Sequence, residues 1–161
     1  MLDAITIRPL QPGDAGWIIY RHGAVIAREF GWDTRFEAMC ARILADFIDQ
    51  FQPGYEQSFV AVCGKEILGS IFLVRASDTV AKLRLLYVEP AARGKGLARK
   101  LMGEAFAFAR AAGYRHITLF TTSSNAAARR MYTSLGLACV HQEPMDFSGK
   151  TLTGETWEAA L

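Results

Sequence analysis

The chain opens on a short alternation. In ITIRPL, Ile5 to Leu10, apolar and polar residues take turns, the period of a half-buried strand. QPGD breaks that pattern, and Asp14 suits a helix N-cap. From there the period lengthens. Two helices are predicted, about Ala15 to Phe30 and Thr34 to Phe51, parted by GWD. In the second, Phe36, Met39, Cys40, Ile43, Leu44 and Phe47 recur at helical spacing. QPGYE ends it. SFVAVC and EILGSIFLVR then read as two strands around a tight turn at Gly64–Lys65, and TVAKLRLLYVEP as a third, closed by Pro90. GLARKLMGEAFAFARAAG returns to helical spacing, with Leu97, Leu101, Ala105 and Phe108 on one stripe and Gly113 as its stop. RHITLFTT reads as a strand. SNAAARRMYTSLG reads as a helix capped by Ser124 or Asn125 and ended by Gly136. LACVHQEPM and GETWEAAL close the chain as strands. The order β-αα-βββ-α-β-α-ββ predicts an α/β fold of the mixed α+β kind, a mixed sheet of about seven strands with helices on both faces.

Composition narrows the classes more than it identifies one. At 161 residues the chain suits a single domain spanning 1–161. A hydrophobic share of 51% and a charged share of 21% are those of a folded, water-soluble protein. A formal net charge of +2 is too small to argue for nucleic acid. Cys40, Cys63 and Cys139 are scattered and odd in number, and no CxxC or His–Cys cluster suggests a metal. A reducing cytoplasm is the expected setting. The N-terminus lacks the basic-then-apolar pattern of a signal peptide, and no uncharged apolar run reaches the roughly 18 residues of a membrane span. No membrane partner is expected.

The chemistry concentrates in VEPAARGKGLARKLM, Val88 to Met102. After a strand, Arg93-Gly94-Lys95-Gly96 must turn sharply into a helix. Glycine tolerates positive φ and lets a ligand approach the backbone. The first-turn N–H groups of that helix lack internal partners, and its dipole favours negative charge. Together they form a phosphate cradle, with Arg93, Lys95 and Arg99 adding positive charge. Taken alone, GKG is better read as a helix start among solvated charges; the flanking strand and helix shift that balance. A dinucleotide-binding G-x-G-x-x-G would need Gly or Ala where Arg99 stands. SGKT, Ser148 to Thr151, resembles the end of a Walker A loop, but the required first glycine is Pro144.

Arg93-x-x-Gly96-x-Ala98 resembles the Q/R-x-x-G-x-G/A motif of the GNAT N-acetyltransferases. The element order resembles that family from Ile5 to about Leu161. TTSSNAAARRMYTSLGL is similar to the family segment in which an Asn follows the fifth strand and a Tyr lies seven residues later; here these are Asn125 and Tyr132, with Leu137 in place of the usual Phe. RHG, EFGWD, DTVAKLRLLYVEP and TGETWE further resemble the acetyltransferase domain fused to MarR-type regulators. No DNA-binding half is carried here, so no nucleic-acid partner is expected.

The resemblance implies a mostly antiparallel GNAT-like sheet and transfer of an acetyl group from acetyl-CoA to a primary amine. The amine would belong to a small molecule or amino acid; a protein lysine or N-terminus is the alternative, and a non-catalytic acyl-CoA sensor partnering a regulator is another. The backbone of Gly94, Lys95, Gly96, Leu97 and Ala98, with Arg93 and Arg99 beside it, would hold the pyrophosphate. Leu86, Tyr87 and Val88 would pair with the pantetheine arm, and an N–H near Tyr87 or Val88 would polarise the thioester carbonyl. Asn125 and Ala128 would contact the cofactor, and Tyr132 would protonate the departing thiolate. No metal is implied, and a homodimer is allowed.

The general base is harder to choose. TVAKLRLL offers only Lys82 and Arg84 where family members place a Glu. Glu29 in AREFGWD is the candidate, acting through water; a solvated helix end is the simpler explanation. His22 and Tyr20 are weaker choices. Acceptor specificity should come from Arg21–Gly23, Glu29–Asp33 and Trp157, with Arg21 or Arg28 able to hold a carboxylate. Trp17, Trp32 and Trp157 could equally be core aromatics. Lys82 and Arg84 share a face that either lines the acceptor cleft or meets solvent.

Overall fold

The computed structural model describes residues 4–161. Its elements follow the predicted order. β1 is Thr6–Arg8, α1 Asp14–Arg21, α2 Arg28–Phe30, α3 Thr34–Asp49, β2 Gln57–Cys63, β3 Glu66–Arg75, β4 Val80–Val88, α4 Leu97–Ala111, β5 His116–Thr122, α5 Ala126–Ser134, β6 Ala138–Phe147 and β7 Lys150–Ala160. The seven strands form one mixed, mostly antiparallel sheet in the order β1-β2-β3-β4-β5-β7-β6. No helix among the described residues is long and apolar enough to cross a membrane.

The chain divides into two compact units. One holds the chain up to Gln11, Gln52–Ile117 and Ala160–Leu161; the other holds Pro12–Phe51 and Thr118–Ala159. In the first, β1, β2, β3 and β4 pair antiparallel with their neighbours. Val60, Ile71, Phe72, Leu73 and Ala81 are wholly excluded from solvent. β3 and α4 meet at Gly69: a Cβ there would lie 2.6 Å from the Tyr87 carbonyl and 3.2 Å from Leu101 Cδ1. Only glycine allows that approach. α4 buries Leu97, Leu101, Met102, Ala105, Phe106 and Ala109. Leu97, Leu101 and Ala105 of the predicted stripe are buried, whereas Phe108 is half-buried, edge-on to Phe59 at 6.2 Å.

In the second unit the first predicted helix is helical throughout but changes its hydrogen-bond register. α1 passes into a π-helical stretch, His22–Ala27, before the single turn of α2. His22 is buried there with Nδ1 2.8 Å from the Ile18 carbonyl, to which it donates. Burial pushes its pKa down to about 4, against the raising pull of that carbonyl. The cap also differs from expectation. Gly13 occupies the N-cap at φ 94° with no side-chain cap hydrogen bond, and Asp14 is the first helical residue, buried. Asp33 caps α3 instead, accepting from Arg35 N at 3.0 Å. β6 and β7 are longer than predicted. They form a hairpin closed by Ser148 (φ 46°) and Gly149 (φ 91°), the paired positive φ values of a two-residue turn. SGKT is therefore a hairpin turn.

Candidate active site

In the first unit, β4 is irregular where the sequence shows only apolar residues. Phe72 pairs with Arg84 and Ser70 with Tyr87, so Leu85 and Leu86 stand opposite Ile71 alone. Two residues against one is a β-bulge, and it interrupts the ladder and bends the strand. Leu85 adopts φ 53° there. A leucine in the left-handed region costs on the order of 1–3 kcal/mol, the kind of strain that collects at functional sites. Past the bulge, Tyr87 is buried and Glu89 N donates to the Leu68 carbonyl at 2.8 Å.

The chain then makes a short 3₁₀ turn, Pro90–Ala92, and enters the glycine turn. Gly94 takes φ 75° and Gly96, the N-cap of α4, φ 83°. No side chain caps α4, and its first turn contains no acidic residue. A helix of 15 residues thus presents its dipole and first-turn N–H groups with no carboxylate of its own first turn competing for them. A Cβ on Gly94 would meet nothing within 4 Å, so the space before the turn is open. Arg93 Nε donates to the Val88 carbonyl at 3.3 Å and Lys95 Nζ to the Ala91 carbonyl at 3.1 Å. Both cations brace the turn while lying exposed. These features fit an anionic diphosphate.

In the second unit, α5 carries the other predicted residues. Asn125 is its N-cap: Oδ1 accepts from Ala128 N at 3.2 Å. That leaves the Asn125 amide NH₂ without a hydrogen bond to any described residue. Asn125, Ala128 and Tyr132 lie at helical spacing on one side of the helix. Tyr132 is 7% exposed, its ring 5.9 Å from that of Trp157. Its hydroxyl makes no hydrogen bond to a described residue, and burial pushes its pKa up to about 12. The phenol is a neutral donor throughout the working pH range.

Trp157, the ring neighbour of Tyr132, also donates to a carboxylate. Glu155 on β7 is fully buried. Its Oε1 accepts from Arg129 Nε at 3.0 Å and from Trp157 Nε1 at 3.2 Å; Oε2 accepts from Gln142 Nε2 at 2.6 Å. α5, β6 and β7 are thereby tied through one side chain. Glu155, Trp157 and Ala159 are all buried and alternate along β7. That alternation is the signal that could have marked the glutamate as inward-facing.

One predicted specificity segment, Glu29–Asp33, meets the β6–β7 turn. Asp33 N donates to the Ser148 carbonyl at 2.9 Å, joining the α2–α3 loop to the hairpin turn. Trp32 stacks on Phe30 at 4.9 Å and meets Phe147 edge-on at 4.7 Å. Glu29 is exposed on α2, and Tyr20 is 58% exposed. Trp157 is buried, whereas Trp17 and Trp32 are half-buried. No group of three or more His, Cys, Asp or Glu among the described residues could hold a metal ion.

A strained β4, a glycine turn and an uncapped helix follow one another along the chain, and the family comparison gives them a context. The model of the acetyltransferase (GNAT) family matches residues 16–137. The chain belongs to this family. Among particular proteins, it is 28% identical over 139 residues to the mycothiol acetyltransferase of Actinosynnema mirum, covering 84% of this chain and 45% of that protein. The chain thus spans less than half the length of that relative. It is 27% identical to yncA from Salmonella typhimurium, solved with its cofactor acetyl-CoA, with a TM-score of 0.72 over 98% of this chain and 94% of that one. The fold is also that of a GCN5-related N-acetyltransferase from Kribbella flavida, at 20% identity and a TM-score of 0.78 over 100% of both chains.

Proposed function

We propose that this chain moves the acetyl group of acetyl-CoA to a primary amine of a small molecule or amino acid, by direct attack. The observation that carries the proposal is the turn at Gly94 and Gly96, held at positive φ and opening an uncapped helix directly after the strained β4. In this reading acetyl-CoA supplies an activated thioester. The N–H groups of residues 94–98 bind its diphosphate, with Arg93 and Arg99 adding positive charge. Backbone groups of Leu86, Tyr87 and Val88 orient the pantetheine, and an N–H of Tyr87 or Val88 receives the negative charge that develops on the carbonyl oxygen.

Asn125 keeps its carbonyl for capping and offers its NH₂ to the cofactor, with Ala128 beside it. Tyr132 donates to the sulfur. A phenol raised to about 12 does not release its proton to water near neutrality. It stabilises thiolate character as that character appears, and passes the proton once the sulfur shares the same dry surroundings. Glu29 accepts the amine's proton through water. The names of the similar proteins, one a mycothiol acetyltransferase and one solved with acetyl-CoA, support the transfer but leave the amine open.

The test is thiol release from acetyl-CoA across an amine panel, alongside calorimetry with CoA. We expect micromolar CoA binding and turnover with at least one small amine. Tight CoA binding with no turnover on any small amine, protein lysine or N-terminus would favour the acyl-CoA sensor.

A further inference from the structure

Lys82 and Arg84 lie on β4 just before the bulge, two residues apart and so on one face. Lys82 pairs with Val74 and Arg84 with Phe72; past the bulge, Tyr87 pairs with Ser70. Paired residues share a face, so Ser70, Arg84 and Lys82 lie in a row on one side of the β3–β4 ladder. Gly69, next to Ser70, faces Leu97 and Leu101 of α4. The row is therefore on the side away from α4.

Two members of that row, Lys82 and Ser70, lack partners among the described residues. Lys82 is half-buried and makes no hydrogen bond or ion pair with any described residue. Loss of hydration, followed by repulsion from Arg84, holds its ammonium below the usual lysine range, and no neighbouring carboxylate pulls it back. The Ser70 hydroxyl on the same face is buried and has no hydrogen-bond partner among the described residues. A half-dehydrated ammonium with no hydrogen bond or ion pair of its own is costly to hold unless an anion completes it.

We propose that Lys82, with Arg84 beside it, receives a carboxylate on the acceptor, so that the acceptor is an amino acid or a similar carboxylated amine rather than a neutral amine or polyamine. The assignment rests on the acetyl-transfer reading, because β4 matters to the acceptor only if the thioester lies at Tyr87–Val88. Along the ladder Arg84 stands about 7 Å and Lys82 about 14 Å from Tyr87. Their long side chains shorten those gaps, so a carboxylate a few bonds from the attacking nitrogen falls within reach.

The experiment compares the twenty standard amino acids with their carboxamides and decarboxylated amines. Binding to the CoA-saturated protein is followed by calorimetry, and acetylation by thiol release. For the best acceptor, the wild type should favour the carboxylate over the amide by about tenfold or more, the size of one charge-assisted hydrogen bond. Lys82→Met should abolish that preference through KM, and Lys82→Arg should restore most of it. CoA binding by both variants reports that they fold. A preference unchanged in Lys82→Met, or a wild type that binds and acetylates only neutral or polycationic amines, overturns the assignment while leaving acetyl transfer standing. Carboxylate-selective binding lost in Lys82→Met, without thiol release from any amine, keeps the anion site and overturns acetyl transfer. A protein that binds none of the panel overturns the carboxylate site outright.

Discussion

In the proposed reading, the Gly94–Gly96 turn and the α5–β7 corner both manage negative charge, and they do so with opposite parts of the chain. At the turn the donors are main-chain N–H groups, the side chains of Arg93 and Lys95 lie exposed, and the constraint falls on residues that must have no side chain. At the corner the work falls to side chains. Glu155 is wholly buried and accepts three hydrogen bonds, and Tyr132 is withdrawn from water beside Trp157. A binding surface made of backbone tolerates side-chain loss and resists side-chain gain. A site made of buried side chains behaves the other way round. Substitutions can therefore tell the two regions apart.

The largest effect should come from the corner. Tyr132→Phe removes the donor and keeps the ring against Trp157. Turnover should fall about 10²–10⁴-fold, with CoA affinity by calorimetry little altered. Equal turnover in the two proteins would remove Tyr132 from the mechanism.

Next is Glu155→Gln. It places an amide NH₂ among donors and weakens the links to Arg129, Gln142 and Trp157. We expect a loss of about 3 kcal/mol, given one buried partner and a partly exposed arginine, or a Tm lower by about 6–12 °C. Denaturant midpoints check it. A change under about 1 kcal/mol would mean that the network does not hold α5 in place.

A third effect is a pH slope. Burial raises the folded-state pKa of Tyr132 to about 12, above its ordinary 10. As pH rises through 10 the unfolded chain releases this proton first, so the folded state then binds more protons. Stability is unaffected below pH 10 and declines from there to about 12, by at most about 1.4 kcal/mol per pH unit. Tyr132→Phe should flatten that part of the curve; an identical alkaline decline in both proteins would show that other groups cause it.

The same contrast explains what the sequence reveals. Glycines at 94 and 96 announce the turn because no other residue holds φ near 80° cheaply, and Asn125 announces a cap because few side chains can reach back to an N–H. Element order follows from hydrophobic period alone. Glu155 stays hidden because a charged residue in a strand resembles an outward-facing one until its phase with Trp157 and Ala159 is counted. The β4 bulge has no compositional mark at all: it depends on register against β3, and the strained residue is a leucine. The π-helical stretch after Arg21 is similar, one slipped hydrogen-bond register inside an otherwise helical pattern. Asp14 looked like a cap, but Gly13 took that place one residue earlier, in a conformation that suits glycine.

The smallest effect in stability sharpens the comparison most. Gly94→Ala forces an alanine to φ 75°, at a cost of about 1 kcal/mol, with no atom within 4 Å for the methyl to strike. Gly64→Ala, in the β2–β3 turn at φ 60°, imposes the same conformation in equally open space. Both variants should lose about the same stability in denaturant. Only the methyl at position 94 would stand where the diphosphate meets the main chain. CoA affinity should therefore fall at least tenfold in Gly94→Ala and hold in Gly64→Ala. Truncating the side chains of Arg93 or Lys95 should cost severalfold at most, and less as salt rises. If Gly94→Ala binds CoA as tightly as Gly64→Ala does, the anion is not held by this backbone, and the positive charge around the turn becomes the better account of binding.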